Sequence, residues 1–360
     1  GIDVINFSVG EPDFNTPPHI IAAGKKAMDD GFTKYTAGPG MIEFRKAICE
    51  KLERENGITY EPADILVSNG EKQSLYNVCQ VLFDQGDEVI VFRPYWVSFP
   101  EFVRLADAEP ILVDTIAENN FEPDFDDLEK KLSPKVKGVI LNSPSNPTGG
   151  IWREEAILRL LRIAKENNWI VISDECYERL VYDGEFVSTE KLNRQHQIGA
   201  NVITCLSLSK TYAMTGWRVG YAVAPEHIAP HIRKCQEPTV SCVNAPAQYA
   251  DLAALTGPQD AVVEMRNAYR DRRDNVHEIL ASAGVPALKP GGAFYMWVDI
   301  GGAGKSDIAF STSLIENRQV AVVPGSTFGP ANTERVRISL ATAPDELYEG
   351  VHRLVEEIKS

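Results

Sequence analysis

Seven short apolar runs separated by helical stretches constrain this chain more than any other feature. They are DILVS (64–68), DEVIVFR (87–93), EPILVDT (109–115), VKGVILNS (136–143), WIVISDE (169–175), VITCLSL (202–208) and RVGYAVA (218–224). The intervening segments carry helical spacing: in 71–83, Leu75, Val78, Cys79, Leu82 and Phe83 share one face, and 153–167 follows the turn-rich SPSNPTGG. Nearly continuous apolar strands alternating with helices predict an α/β fold, a mostly parallel seven-stranded sheet covered by helices on both faces. With 360 residues the chain has room for a second core.

Toward the C-terminus the pattern changes. A long charged helix, AVVEMRNAYRDRRDNVHEILASAG, precedes GGAFYMWVDI, a helix near 307–317, VAVVPGSTFG, RVRISLAT and a final helix. This predicts a smaller α+β domain, which the early segment INFSVGEPDF joins. The expected division is a large domain over 30–265 and a discontinuous small domain from 1–29 and 266–360. The helix at 17–30 is expected to start with Thr16 as N-cap, Pro17 and Pro18 in its first turn, and Gly31 at its end.

Charge and cysteines narrow the function classes. Lys and Arg number 36 against 51 Asp and Glu, a net charge of −15, which argues against nucleic-acid partners and anionic membranes. No apolar run approaches a membrane span. Six cysteines without a C-x-x-C pair read as reduced thiols of a cytoplasmic protein, and no metal site is expected. GGAGKSD (301–307) imitates a phosphate loop but lacks its first glycine, since Asp299 stands there, so it reads as a flexible loop. The acidic run EPDFDDLEKK reads as a solvated helix start.

Ligands of a doubly wound sheet collect beyond the carboxyl ends of its strands. There the sequence places Asn69, Gly70, Glu71 and Lys72 after the first run, and Trp96 after the second. Asn146 follows the fourth, Asp174 and Tyr177 the fifth, and Ser207, Ser209 and Lys210 the sixth, with Arg218 opening the seventh. Free N–H groups at Gly70 and Glu71, two hydroxyls and a guanidinium suit a phosphate at a helix N-terminus. A buried carboxylate at Asp174 needs a cation. Lys210 becomes a nucleophile when its pKa is lowered, and Trp96 offers a flat face. Phosphate, cationic ring nitrogen, aromatic plane and carbonyl carbon together describe pyridoxal 5'-phosphate. Each residue alone has a plainer reading: Lys210 an exposed lysine, Asp174 a helix cap, Asn146 a turn former, Trp96 core packing. Their joint placement at strand ends favours function.

NPTG (146–149), SDECYE (173–178) and SLSKTYAMTGWRVGY (207–221) resemble signature segments of the fold-type I, class I/II aminotransferases of the aspartate aminotransferase family. So, in the family's order, do VGEPDF, KYTAGPG, SNGEKQ, RPYW and VRISLAT. The resemblance implies Lys210 as the Schiff-base lysine and proton shuttle, and Asp174 as partner of the ring nitrogen. Asn146 and Tyr177 would be donors to the ring's phenolic oxygen, Trp96 the stacking aromatic. Ser207, Ser209, Arg218 and the Gly70–Lys72 turn would form the phosphate cup. Arg337 and the backbone at Gly10 would hold the substrate carboxylate. Tyr35 would reach the phosphate of a neighbouring subunit, making a homodimer with shared active sites.

Lys72 stands where relatives with GGKQ grip the distal carboxylate of acidic substrates, although Glu71 beside it departs from that pattern. The implied activity moves an amino group between aspartate, or another acidic amino acid, and a 2-oxo acid such as 2-oxoglutarate, with prephenate another possible acceptor. Alternatives within the resemblance are a carbon–sulfur β-lyase, or an aminotransferase of aromatic amino acids or alanine. A transcriptional regulator would need a basic helix-turn-helix, and the sequence shows none.

Overall fold

The computed structural model describes residues 3–360. The chain opens with β1 (Ile5–Asn6), α1 (Pro18–Asp29) and α2 (Ile42–Lys51). It continues through β2 (Ile65–Ser68), α3 (Glu71–Leu82), β3 (Glu88–Arg93), α4 (Ser98–Leu105), β4 (Glu109–Ile116), β5 (Glu122–Pro123) and α5 (Phe125–Lys130). Then come β6 (Val136–Asn142), α6 (Glu154–Glu166), β7 (Ile170–Asp174), α7 (Thr189–Gln195), β8 (Asn201–Ser207), α8 (Leu208–Thr211), β9 (Gly220–Val223), α9 (Ala229–Val240) and α10 (Ala245–Thr256). The C-terminal part holds α11 (Asp260–Ser282), β10 (Tyr295–Asp299), α12 (Asp307–Arg318), β11 (Val320–Ala321), β12 (Val323–Pro324), β13 (Arg335–Ser339) and α13 (Pro344–Ile358).

All seven predicted strands form one sheet, in the order β2-β9-β8-β7-β6-β3-β4, and the two-residue β5 adds an eighth at the edge of β4. Strands β4, β3, β6, β7 and β8 are parallel neighbours, while β9 runs antiparallel to both β8 and β2. Hence β9 alone among the seven is reversed, and its amino end lies where its neighbours' carboxyl ends lie. Alternate residues of a strand face opposite layers. Val89 and Val91 pack under α3 and α4 with Leu75, Phe99 and Phe102, whereas Ile90 packs with Leu160 and Leu161 of α6. Burial on both faces explains why these strands read as unbroken apolar runs.

The smaller unit has an antiparallel sheet β10-β13-β12 and a parallel pair β1-β11. Its core joins Phe7, Phe294, Met296, Phe310 and Ile338 to Tyr269 and Val276 of α11 and to Leu347, Val351 and Leu354 of α13. The segment 3–29 divides between the two cores. Phe7 belongs to this one, but Ile20 of α1 packs with Phe44, Ile48 and Ala250 beside the large sheet.

Three local expectations need correction. Thr16 does not cap α1: the capping position is Pro17, and no side chain caps the helix. Prolines lack the N–H that a cap would satisfy, so the Thr16 hydroxyl is free to donate to Ala213 O at 2.7 Å and accept from Trp217 Nε1 at 3.2 Å. The 301–307 segment is not loose. It forms a 3-10 turn, Ser306 caps α12, and Lys305 Nζ bonds Glu357 Oε1 at 2.8 Å. The sheet has eight strands rather than seven, counting β5. The acidic run does start a helix, with the Asp124 carboxylate accepting from Asp126 N and Asp127 N. Among the described residues no helix is long and apolar enough to cross a membrane.

Candidate active site

Strand register assembles the site. Asn142, Asp174 and Cys205 are paired across β6, β7 and β8, and Ser207, Gly220 and Ser68 across β8, β9 and β2. The residues that follow these rows therefore emerge at one sheet edge, which the small unit covers. Between them lies a cleft of about 610 Å³. Of the predicted residues, Gly10, Glu71, Lys72, Trp96, Asn146, Asp174, Tyr177, Ser207, Ser209, Lys210, Arg218 and Arg337 all line it.

The anion end is built from backbone and cations. Gly70 precedes α3 at φ 75° and ψ 157°, a region that only glycine enters readily. A Cβ there would lie 2.3 Å from Arg218 Nη2, so the missing side chain is what lets the guanidinium lie on the turn. Gly220 serves similarly, since its Cβ would meet Glu71 N at 2.2 Å. The N–H groups of Glu71 and Lys72, which open α3, have no intrahelical acceptor. Arg218 has φ 54° and donates to Thr215 O at 2.8 Å, and Ser207 Oγ accepts from Ser209 N at 3.0 Å. Ser207 thus caps the one-turn helix α8 that carries Lys210.

Lys210 Nζ donates to Gly10 O at 2.5 Å, and burial, the main cause, holds its pKa below the ordinary lysine value. Asp174 is buried; its Oδ1 accepts from Cys176 N at 3.2 Å, and burial pushes its pKa up. Tyr177 donates to Tyr295 Oη at 3.2 Å, and burial raises its pKa well above the usual value. Arg337, on β13, donates from Nη1 to Asn146 Oδ1 at 3.0 Å and from Nη2 to Ser8 O at 2.8 Å, while its buried Nε has no partner. The guanidinium also lies 4.3 Å over the Tyr295 ring. Lys72 Nζ sits 4.8 Å over the Trp96 ring, its pKa lowered by burial and then by Arg218.

Gly70 shapes the cleft from behind without lining it. Tyr35 is elsewhere: it is 88 % exposed, in a shallow surface groove with Phe32, Ile42 and Tyr249. Reading strand ends missed Tyr295, Glu11, Asn142, Thr215 and Phe328, which also line the cleft. Glu11 lies inside the quoted VGEPDF, and its Oε2 accepts from Thr215 Oγ1 at 2.7 Å. Tyr295 and Phe328 reach the site from the small unit, across a tertiary contact that strand spacing cannot show.

The donor set fits pyridoxal phosphate: anion donors at one end, a buried carboxyl for a ring nitrogen, and a lysine of lowered pKa. Such a constellation on an α/β sheet defines a fold-type I enzyme. The family description "Aminotransferase class I and II" matches residues 2–354, and the chain belongs to that family of pyridoxal-phosphate-dependent transaminases. It is 39% identical to an aspartate aminotransferase of Bacillus sp. (strain YM-2), covering 100% of this chain and 92% of that protein. It is also 39% identical to an aspartate/prephenate aminotransferase of Thermus thermophilus, covering 98% and 90%. The solved aromatic aminotransferase of Pyrococcus horikoshii superposes with TM-score 0.95 at 38% identity, over 99% of this chain and 96% of that one.

Proposed function

We propose that this transaminase takes its amino group from aspartate or another acidic amino acid and passes it to a 2-oxo acid such as 2-oxoglutarate. The cycle is ping-pong, with the cofactor held at Lys210. The observation that carries this reading is the pair of cations in one cleft. Arg337 lines the cleft with a buried, unpartnered Nε and offers an α-carboxylate a planar fork. Lys72 supplies a second positive charge for a distal carboxylate. Relatives named aspartate and aspartate/prephenate aminotransferases support it.

When bound, pyridoxal phosphate supplies a carbonyl that accepts the amino group and a ring that takes up the electrons of the broken Cα–H bond. The remaining work falls to this chain. Burial keeps a larger fraction of Lys210 as free amine, so Nζ would take up the α-proton of the substrate and hand it on. Asp174 would hold a positive charge at the ring-nitrogen position. Arg337 holds the Asn146 amide and would fix the substrate carboxylate, and Asn146 and Tyr177 would face the cofactor's phenolic oxygen. Gly70, Glu71, Ser207, Ser209 and Arg218 would hold the phosphate, and Trp96 would cover one ring face.

The assembly proposed is a homodimer. Tyr35 stands 88 % exposed near Phe32 at 45 % and Ile42 at 42 %; a second copy covering this patch would carry Tyr35 toward its neighbour's phosphate. Steady-state assays with 2-oxoglutarate test the substrate. Aspartate is expected to exceed alanine and phenylalanine in kcat/KM. Alanine or an aromatic amino acid preferred by about a hundredfold, ~2.8 kcal/mol, would overturn the assignment.

A further inference from the structure

The side chain of Glu71 is not needed for a phosphate cup made of backbone N–H groups, yet it is turned inward and 8 % exposed. Its carboxyl, the Asp174 carboxyl and the Cys176 thiol each place one polar atom within 4.8 Å of the other two. Glu71 Oε1 is buried without a hydrogen-bond partner, which a protonated carboxyl beside a carboxylate would explain. Two buried carboxyls this close oppose each other's ionisation, which favours a single proton held between them.

We infer that Glu71 carries that proton, donates a hydrogen bond to the Asp174 carboxylate, and acts as a positioning residue for the group that faces the ring nitrogen. The inference rests on the proposed reading of the cleft only for the part that concerns the cofactor.

Two physical arguments place the proton on Glu71 rather than on Asp174. Asp174 Oδ1 already accepts from Cys176 N at 3.2 Å, and hydrogen bonding to the charged form favours it. The charged groups facing Glu71 are Asp174 and Lys210; Cys176, Cys205 and Tyr221 also lie close, and burial keeps all three neutral. Burial first, then Asp174, push the Glu71 pKa well above the carboxylate range, and burial raises Asp174 as well. Finally, the N–H of Glu71 opens α3 toward the proposed phosphate. A second ionised carboxylate there would repel it, and a neutral acid would not.

The arrangement has a charge consequence. One shared proton leaves the pair with a single negative charge, which matches one protonated ring nitrogen. Glutamine at 71 keeps a neutral donor of similar shape, and leucine removes the donor.

The first test is infrared spectroscopy of the cofactor-free protein at pH 8. The wild-type minus Glu71→Gln difference should contain a protonated-carboxyl band, and that band should move when glutamate carboxyls carry carbon-13. No such band, or a band unmoved by the label, overturns the inference. The second test titrates apoprotein with pyridoxal phosphate. Glu71→Gln should bind within about threefold of wild type, and Glu71→Leu about tenfold or more weakly. Wild-type affinity in Glu71→Leu, or equal losses in both variants, overturns it. If Glu71→Leu does not fold, the infrared arm and Glu71→Gln decide. Failure of the wild type itself to bind pyridoxal phosphate sinks the proposed function instead and leaves the infrared arm standing.

Discussion

Replacing Gly70 with alanine tests the anion end of the cleft, because one methyl group there has two separable effects. The first is on folding. At φ 75° and ψ 157° a side chain strains the backbone by ~1–3 kcal/mol. The steric clash adds little, since the Cβ would meet the tip of Arg218, 2.3 Å from Nη2 and 2.8 Å from Cζ, and that side chain is exposed and can swing away. The second effect is on binding. A displaced Arg218 no longer reaches the phosphate position, which removes a charged hydrogen bond worth ~1.5–3 kcal/mol. Cofactor affinity should therefore fall by about ten- to a hundredfold.

Thermal unfolding of the apoprotein by circular dichroism reports the first effect, and fluorescence titration with pyridoxal phosphate the second. Arg218→Gln should reproduce the loss of affinity without the strain. Wild-type affinity in a folded Gly70→Ala protein would refute the assignment of Arg218 and its turn to the phosphate.

Two further perturbations probe other groups. Arg337→Lys loses the planar fork that bonds Asn146 and Ser8 while leaving a free Nε; KM for the amino donor should rise about ten- to a hundredfold, or ~1.4–2.8 kcal/mol, with a smaller change in kcat, and an unchanged KM contradicts the role. Glu175 lies outside the cleft lining, and burial, then Glu178, push its pKa up to about 7 from an ordinary 4.5. A raised folded pKa means that stability present below about pH 4.5 is lost as pH rises toward 7. Glu175→Gln escapes that loss, so urea melts at pH 5 and pH 8 should show the variant gaining on wild type by ~2 kcal/mol across the interval. A pH-independent difference would show that Glu175 does not ionise there.

Much of this was legible in the sequence because the large sheet is buried on both faces. Apolar runs located β2 to β4 and β6 to β9 within a residue or two, and the rule that ligands gather at strand ends led to Asp174, Asn146 and Lys210. What stayed hidden depends on tertiary approach. The sequence assigns Glu71 a role through its N–H, but its carboxyl meets a residue more than a hundred positions away. Thr16 looked like a cap by local rules, yet its hydroxyl is bonded to Ala213 and Trp217. Tyr295 read only as part of a strand, and nothing in GGAFYMW says which alternate residue faces Arg337. Tyr35 lies outside the cleft of its own chain, so the role that the resemblance implies for it would need a second copy.

The central claim is that Lys210 is the amine that carries the coenzyme. Borohydride reduction of the protein loaded with pyridoxal phosphate, followed by peptide mapping, tests it directly. The expected result is a single pyridoxyl label on Lys210, absent from Lys210→Ala. No label, or a label on another lysine such as Lys72, would contradict it.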